Sequence, residues 1–191
     1  MLHALAADAG QAPAAGARAA PAATIPPAVI PAAVLVPIVL YPAPAVLLTR
    51  RTDQLPAHAG QVSFPGGRIS PADRDAAAAA LRETEEEIGL PPSAVELAGP
   101  LPRHLTGTGY AIAPMVGLVR PPMALAPDPR EVAEVFELPL AVLLDAAAPR
   151  QEEMLLRGER RRFWVIPHAH HHIWGATAAI LVNLGRLLRA A

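Results

Sequence analysis

The chain is 191 residues long, enough for one well-buried domain and too short for two of ordinary size. Its 16 cationic side chains, all arginine, and 17 acidic ones leave a formal charge of −1, and apart from Arg160-Arg161-Arg162 the arginines are scattered, which argues against a nucleic-acid partner. Cysteine is absent, so disulfides, thiolate metal sites and cysteine nucleophiles are excluded, and any metal must be held by oxygen or imidazole.

Residues 1–33 are dominated by Ala, Pro and Gly and carry too little large apolar surface to offset the entropy of ordering them, so a loose N-terminal extension is expected, with one domain over residues 34–191. The run from Ala19 to Leu48 is uncharged and passes the test of about 20 apolar residues for a membrane span. Pro21, Pro26, Pro27, Pro31, Pro37, Pro42 and Pro44 interrupt it, each at about 3 kcal/mol in a helix interior, so no span is expected. Peripheral attachment through this apolar third is the remaining membrane alternative. With no basic start resembling a signal peptide, a cytoplasmic protein is expected.

Val34 to Tyr41 and Ala45 to Arg50 are β-branched runs around Pro42-Ala43-Pro44 and predict two buried strands, the first with an edge or bulge at Pro37. Gln61-Val62-Ser63-Phe64 predicts a short strand ended by Pro65-Gly66-Gly67, where glycine lets the backbone approach a ligand closely. Ser70-Pro71-Ala72-Asp73 supplies a cap residue, an N1 proline and an N3 acid for a helix that ends at Gly89, with Pro91 and Pro92 beyond. Further strands are predicted at Tyr110 to Leu118, Glu131 to Leu138 and Arg162 to Ile166, and a closing amphipathic helix over Trp174 to Leu188 with Ala178, Leu181 and Leu188 on one side. Arg160-Arg161-Arg162 after Gly158 reads as a hairpin turn with solvated charges, and Trp164 and Trp174 as core aromatics. The histidines at 168, 170, 171 and 172 lack a nearby acidic third ligand, so adventitious metal binding is expected there, though His168 or His172 could touch a substrate.

At 100° per residue, Ala77, Leu81, Thr84 and Ile88 share one side of the first helix, while Glu83, Glu86 and Glu87 gather nearly opposite. Like charges three and four apart destabilise an isolated helix by a few tenths of a kcal/mol per pair, roughly, so a compensating cation is expected. Carboxylate oxygens suit magnesium or manganese, ions that also bind phosphate oxygens. Arg82, beside the acids, can fix their orientation.

The stretch Arg82-Glu83-Thr84-Glu85-Glu86-Glu87-Ile88-Gly89-Leu90 resembles the second half of the Nudix box, Arg-Glu-U-x-Glu-Glu-x-Gly-U with U apolar, with threonine at the first U. Gly67 lies one residue further upstream than the family pattern places its glycine, and Asp73 or Asp75 occupies the acidic region between. That longer loop resembles the coenzyme A pyrophosphatase branch of the family. So does the segment from Leu47-Leu48-Thr49-Arg50-Arg51-Thr52 through Gly60 to Phe64-Pro65-Gly66-Gly67, and Trp174-Gly175-Ala176-Thr177-Ala178 looks like the closing helix of that branch. Two positions depart: Thr52 stands for Ser or Ala, and Pro56 stands for an arginine whose bidentate fork proline cannot imitate.

The resemblance implies an α/β fold, an α/β/α sandwich with a mixed, curved central sheet. It implies metal ligation by Glu86 and Glu87 with the Gly66 carbonyl, a metal or water-positioning role for Glu83, and orientation of the acids by Arg82. Glu83, Glu131 and Glu134 are candidate general bases, Glu83 first. Arg50, Arg51, His58, Gln61, Ser63 and Gly67 are candidate substrate contacts, with Arg51 at the branch motif's arginine position. The implied reaction is hydrolysis of coenzyme A or an acyl ester to 3′,5′-ADP and a 4′-phosphopantetheine with Mg2+ or Mn2+. The alternatives are another nucleoside diphosphate-X substrate (NADH, a sugar nucleotide, a dinucleoside polyphosphate) and a non-catalytic ligand-binding domain, and a homodimer is common in such proteins.

Overall fold

The computed structural model describes residues 29–156 and 159–191, so most of the expected extension and the turn at Gly158 lie outside the described residues. The first strand, β1 (Ile30–Val39), begins before the expected Val34 because its first residues already have partners on both edges. β7 (Tyr110–Val119) runs parallel to β1 along its whole length, from Ile30 opposite Tyr110 to Val39 opposite Val119. The other edge is divided: β4 (Gly66–Arg68) pairs with Ala32 to Val34, and β2 (Ala45–Arg51) with Ile38 and Val39.

This division corrects the reading of Pro37. Leu35 N donates to Pro65 O and Leu40 N to Val119 O, so odd-numbered amides of β1 face the divided edge. Pro37 falls between the β4 and β2 segments, where no ladder donor is required, and a proline is tolerated inside a central strand. Pro65-Gly66-Gly67 is corrected as well: Gly66 and Gly67 belong to a strand rather than a turn.

β2 continues the sheet by pairing with β8 (Val132–Pro139) and β3 (Val62–Ser63), and β7 by pairing with β5 (Val95–Pro100) and β6 (His104–Leu105). The path β3-β2-β1-β7-β5 therefore mixes parallel and antiparallel neighbours. A smaller sheet has the order β11 (Ile173–Trp174), β10 (Glu159–Ile166), β9 (Arg150–Leu156). Arg160, Arg161 and Arg162 lie in β10 opposite Leu155, Met154 and Glu153, exposed as expected but on a strand rather than in a turn.

Alternation along β1 divides the core between the two faces of the sheet. Ala33 and Leu35 join Ala79, Ala80 and Ile88 of α1 (Ala76–Ile88), with Leu90, Val119 and Val132. Val36 and Ile38 join Val46, Leu48, Val116 and Leu118 against Leu143 of α2 (Ala141–Leu144) and Ile180, Leu181, Leu184 and Leu188 of α3 (Gly175–Ala190). The result is an α/β/α sandwich over a mixed sheet. Trp164 packs partly buried against the α3 side. No helix among the described residues is long and apolar enough to cross a membrane.

α1 starts later than Ser70. Ser70 N donates to Asp73 Oδ2 and Asp73 N to Ser70 O, which closes a turn, and the helix is capped by Asp75, whose side chain accepts Ala78 N at 2.8 Å. The end is as expected, Gly89 at φ 70° with its N–H on Glu85 O. The buried face comprises Ala79, Ala80, Thr84, Glu87 and Ile88, turned away from the expected Ala77 and Leu81, which are only half-buried. Thr84 replaces an apolar residue without an orphaned hydroxyl, since its Oγ1 donates to Ala80 O at 2.7 Å.

Candidate active site

The placement of β4 over α1 builds the site. Gly66 has φ 146°, and a Cβ there would lie 2.4 Å from Ala33 O and 2.6 Å from Val34 Cα. At Gly67 a Cβ would lie 2.4 Å from Glu83 Oε2 and 2.8 Å from Oε1. The two glycines thus let β4 pair with β1 and pass directly above the Glu83 carboxylate. Gly66 N donates to Glu87 Oε2 at 3.2 Å, so the Gly66 contact seen here is through its amide.

Arg82 organises the outer side. Its Nε donates to Asp73 Oδ1 at 2.9 Å and Nη2 to Asp73 Oδ2 at 3.0 Å, a two-point grip that explains why Asp73 belongs to the turn and not to the helix. Nη1 then reaches Glu83 Oε1 at 2.9 Å and Glu86 Oε2 at 3.1 Å. The guanidinium holds the Asp73 carboxyl below the usual range, and the two acids Asp73 and Glu83 push the Arg82 pKa up. Glu86 is the outermost acid, its side chain 60 % exposed and turned to Arg82.

Glu87 is drawn inward to 5 % exposure. Burial raises its pKa to about 7, Gly66 N–H and Arg51 oppose that, and the charges of Glu131 and Glu83 add to it. Glu131 is delivered by the segment before β8: Asp128 N bonds Glu87 O, Ala126 N bonds Ile88 O, and Thr52 N bonds Glu131 O. Arg51 stands with Nη1 3.9 Å from Glu87 Oε1. A register shift in the β2–β8 ladder falls between Arg50 and Arg51, a local irregularity of the kind that re-aims a side chain near a site.

The two arginines of β2 accordingly part. Arg50 Nε lies 3.6 Å from Glu134 Oε2 and Nη1 3.7 Å from Asp53, while His171 Nε2 lies 3.5 Å from Glu134 Oε1 and its ring stacks on Phe136 at 3.8 Å. Glu134 therefore takes Arg50 and His171 as partners, whereas Glu131 sits within electrostatic reach of Glu87. In the segment between β2 and β3, His58 has φ 57° and its Nδ1 is 2.9 Å from Gln61 Oε1, Ser63 Oγ is 3.0 Å from Thr49 Oγ1, and Pro56 is exposed.

Sequence reasoning noted His171 only as a member of the histidine cluster without a nearby acid, and only the tertiary fold brings it beside Glu134. His172, one of the two histidines singled out, is exposed and lies against Trp174, and His168 Nδ1 accepts the amides of His170 and His171. Asp73 as the anchor of Arg82 was visible only as an acid in the right region.

Among the described residues, no three carboxylate or imidazole groups stand together as a ready-made metal group. The donor set still suits a hard divalent cation: Glu83 lies in a cradle that a Cβ at Gly67 would fill, and the ionised form of buried Glu87 is disfavoured by burial and by like charges at Glu83 and Glu131. A bound cation reverses both penalties.

A NUDIX domain model matches residues 30–158, more than half of the chain. The uncharacterized Nudix hydrolase NudL of Escherichia coli K12 is 45% identical over 143 residues, covering 75% of this chain and 74% of the relative. NudL of Escherichia fergusonii is 44% identical over the same shares. Among solved structures, the fold is similar to the Nudix hydrolase RenU of M. smegmatis (TM-score 0.51, 23% identity, 61% of this chain and 74% of that one). It is also similar to a binary complex of the C. elegans Ap4A hydrolase (TM-score 0.50, 20% identity, 58% and 80%).

Proposed function

Because the chain belongs to the Nudix hydrolase family, we propose that it is a coenzyme A pyrophosphatase, cleaving the diphosphate of coenzyme A or its acyl esters to 3′,5′-ADP and a 4′-phosphopantetheine. Nudix hydrolases cleave phosphoric anhydride bonds of small nucleotide-diphosphate substrates with a divalent metal ion. The observation that carries the reading to this site is the seating of Glu83 and Glu87 beneath Gly67 and Gly66, with Glu131 close enough to raise the Glu87 pKa.

On this reading Glu83, Glu86 and Glu87 hold Mg2+ or Mn2+ with the Gly66 carbonyl. Bound there, the ion neutralises charge on the diphosphate and favours ionisation of nearby groups. Glu86, now turned to Arg82, would be the third acid to hold the ion, since its side chain is 60 % exposed and free to rotate. Arg82, anchored on Asp73, fixes the direction of Glu83. Glu83 takes the proton of the attacking water as the anhydride oxygen leaves on the other phosphate, with Glu131 as the next general base. Glu134, paired with Arg50 and His171, ranks last. Arg51, Gly67, Ser63, Gln61, His58 and Arg50 contact the substrate.

The segment from Leu47 to Gly67 supports coenzyme A, and the cytoplasmic placement expected from the proline-broken apolar run and the homodimer belong to the same proposal. One observation favours a second reading. Pro56 is exposed where the branch pattern has arginine, so one phosphate contact is missing and another nucleoside diphosphate-X could be the substrate. Incubation of the full chain at micromolar concentration with coenzyme A and Mg2+ or Mn2+, followed by mass spectrometry, separates them. 4′-Phosphopantetheine is expected, and its absence overturns the coenzyme A reading. Cleavage confined to NADH, a sugar nucleotide or a dinucleoside polyphosphate establishes the second. A non-catalytic domain predicts no cleavage of any of these and no effect of Glu87→Gln.

A further inference from the structure

Arg51 is held near Glu87 by charge and not by fit. Its Nη1 is 3.9 Å from Glu87 Oε1, beyond hydrogen-bond reach, and its Nε is buried with no hydrogen-bond partner. An unsatisfied buried donor is costly, and a guanidinium presents a planar fork of N–H groups that matches phosphate geometry. The neighbouring Arg50 makes its ion pairs elsewhere, with Glu134 and Asp53. Glu87 in turn is almost fully buried, and a buried carboxylate needs a compensating charge.

We propose that Arg51 is a place-holding counter-cation for Glu87, and that with a divalent cation bound at Glu87 its guanidinium is released to grip a phosphate of the substrate diphosphate. Two cations facing one carboxylate repel each other, so the metal and Arg51 compete for Glu87, and the metal and the phosphate cooperate through Arg51. Such coupling is reciprocal: each ligand tightens the other by the same factor. The inference rests on the reading of the site as a metal-dependent diphosphate hydrolase and adds to it the coupling between its two ligands.

The test needs no turnover. Mn2+ binding is titrated by the paramagnetic signal of the free ion for the parent, Arg51→Gln and Arg50→Gln. Arg51→Gln is expected to bind Mn2+ at least about threefold more tightly than the parent, and Arg50→Gln within about twofold, because at close range the charge directly facing Glu87 dominates. Binding of methylenediphosphonate, a diphosphate analogue whose P–C–P bridge cannot be hydrolysed, is then measured at saturating Mn2+. Arg51→Gln is expected to lose at least about tenfold, the scale of a lost charge-assisted fork.

Unchanged or weaker Mn2+ binding by Arg51→Gln overturns the proposal, as does parent-like binding of methylenediphosphonate. If Arg51→Gln does not fold, Arg51→Lys carries the test: it keeps the charge and loses the fork, so parent-like Mn2+ affinity with weakened methylenediphosphonate binding is expected, and parent-like binding of both overturns the proposal. Failure of the enzymatic reading looks different, namely intact coupling in a protein that cleaves no diphosphate substrate.

Discussion

Gly67 and Gly66 stand side by side and should fail in opposite ways when a methyl group is added. At Gly67 the obstacle is the carboxylate of Glu83, the far end of a side chain that can swing aside. Gly67→Ala is therefore expected to melt near the parent temperature but to lose on the order of 100-fold in kcat/KM, since misplacement of a reacting group by about 1 Å costs that much. At Gly66 the obstacle is the backbone of Ala33 and Val34, and φ is 146°. Gly66→Ala is expected to lose about 1–3 kcal/mol of stability, measured by chemical denaturation. Glu87→Gln separates stability from activity differently. Glutamine mimics the protonated carboxyl that burial favours, so the melting temperature at pH 8 without metal should not fall. Activity should drop by more than the roughly 10–100-fold that follows loss of an outer partner of a metal ligand.

At the level of elements, the turn from Ser70 to Asp75 performs two tasks that the sequence presents as one. Asp75 caps α1 at Ala78, and Asp73 anchors Arg82. Asp75→Ala is expected to lower the melting temperature by a few degrees with kcat/KM little changed. Asp73→Asn is expected to do the reverse, keeping the helix while loosening the grip that directs Arg82 toward Glu83. Parallel melting curves and steady-state kinetics of the two variants check the division. The expected helix start at Ser70 was plausible because Ser-Pro-x-Asp satisfies the capping pattern, and Ser70 N does bond Asp73 Oδ2 as that pattern asks, but Arg82 claims both oxygens of Asp73 and the helix proper is capped by Asp75. Local pattern supplies a list of acceptable caps, and competition for the side chain chooses among them. The strands over residues 45–50, 110–118 and 131–138 were legible for a simpler reason, that each carries large apolar residues that enter the core: Val46, Leu47 and Leu48, Val116 and Leu118, and Val132 and Leu138. β4 was not legible, because Gly66 and Gly67 carry no strand signal and pair only through β1.

For the whole molecule, the acidic site opposes the metal-free fold at neutral pH. In the metal-free protein the Glu87 pKa is raised to about 7 from an ordinary carboxylate value, so between those values the folded state binds more protons than the unfolded state. Stability is then greatest below the ordinary carboxylate range and is lost as pH rises through about 7. With a chelator present, the melting temperature is expected to fall between pH 5 and pH 8, and Glu87→Gln to flatten that fall. Saturating Mg2+ should stabilise the protein more at pH 8 than at pH 5, because binding requires the ionised carboxylate. A pH-independent metal effect would contradict this account of Glu87. What could be read from the linear order alone is the spacing of Arg82, Glu83, Glu86 and Glu87 and the two glycines before them, through local geometry and a family resemblance. Which acids face inward, and which partners they take, follows from the tertiary packing. It buries Glu87 under β4, turns Glu86 to solvent, sends Arg50 to Glu134 and Arg51 to Glu87, and brings in His171. Those choices depend on strand pairings between residues far apart in the chain, where a register shift such as that between Arg50 and Arg51 redirects a side chain without leaving a mark in the local pattern.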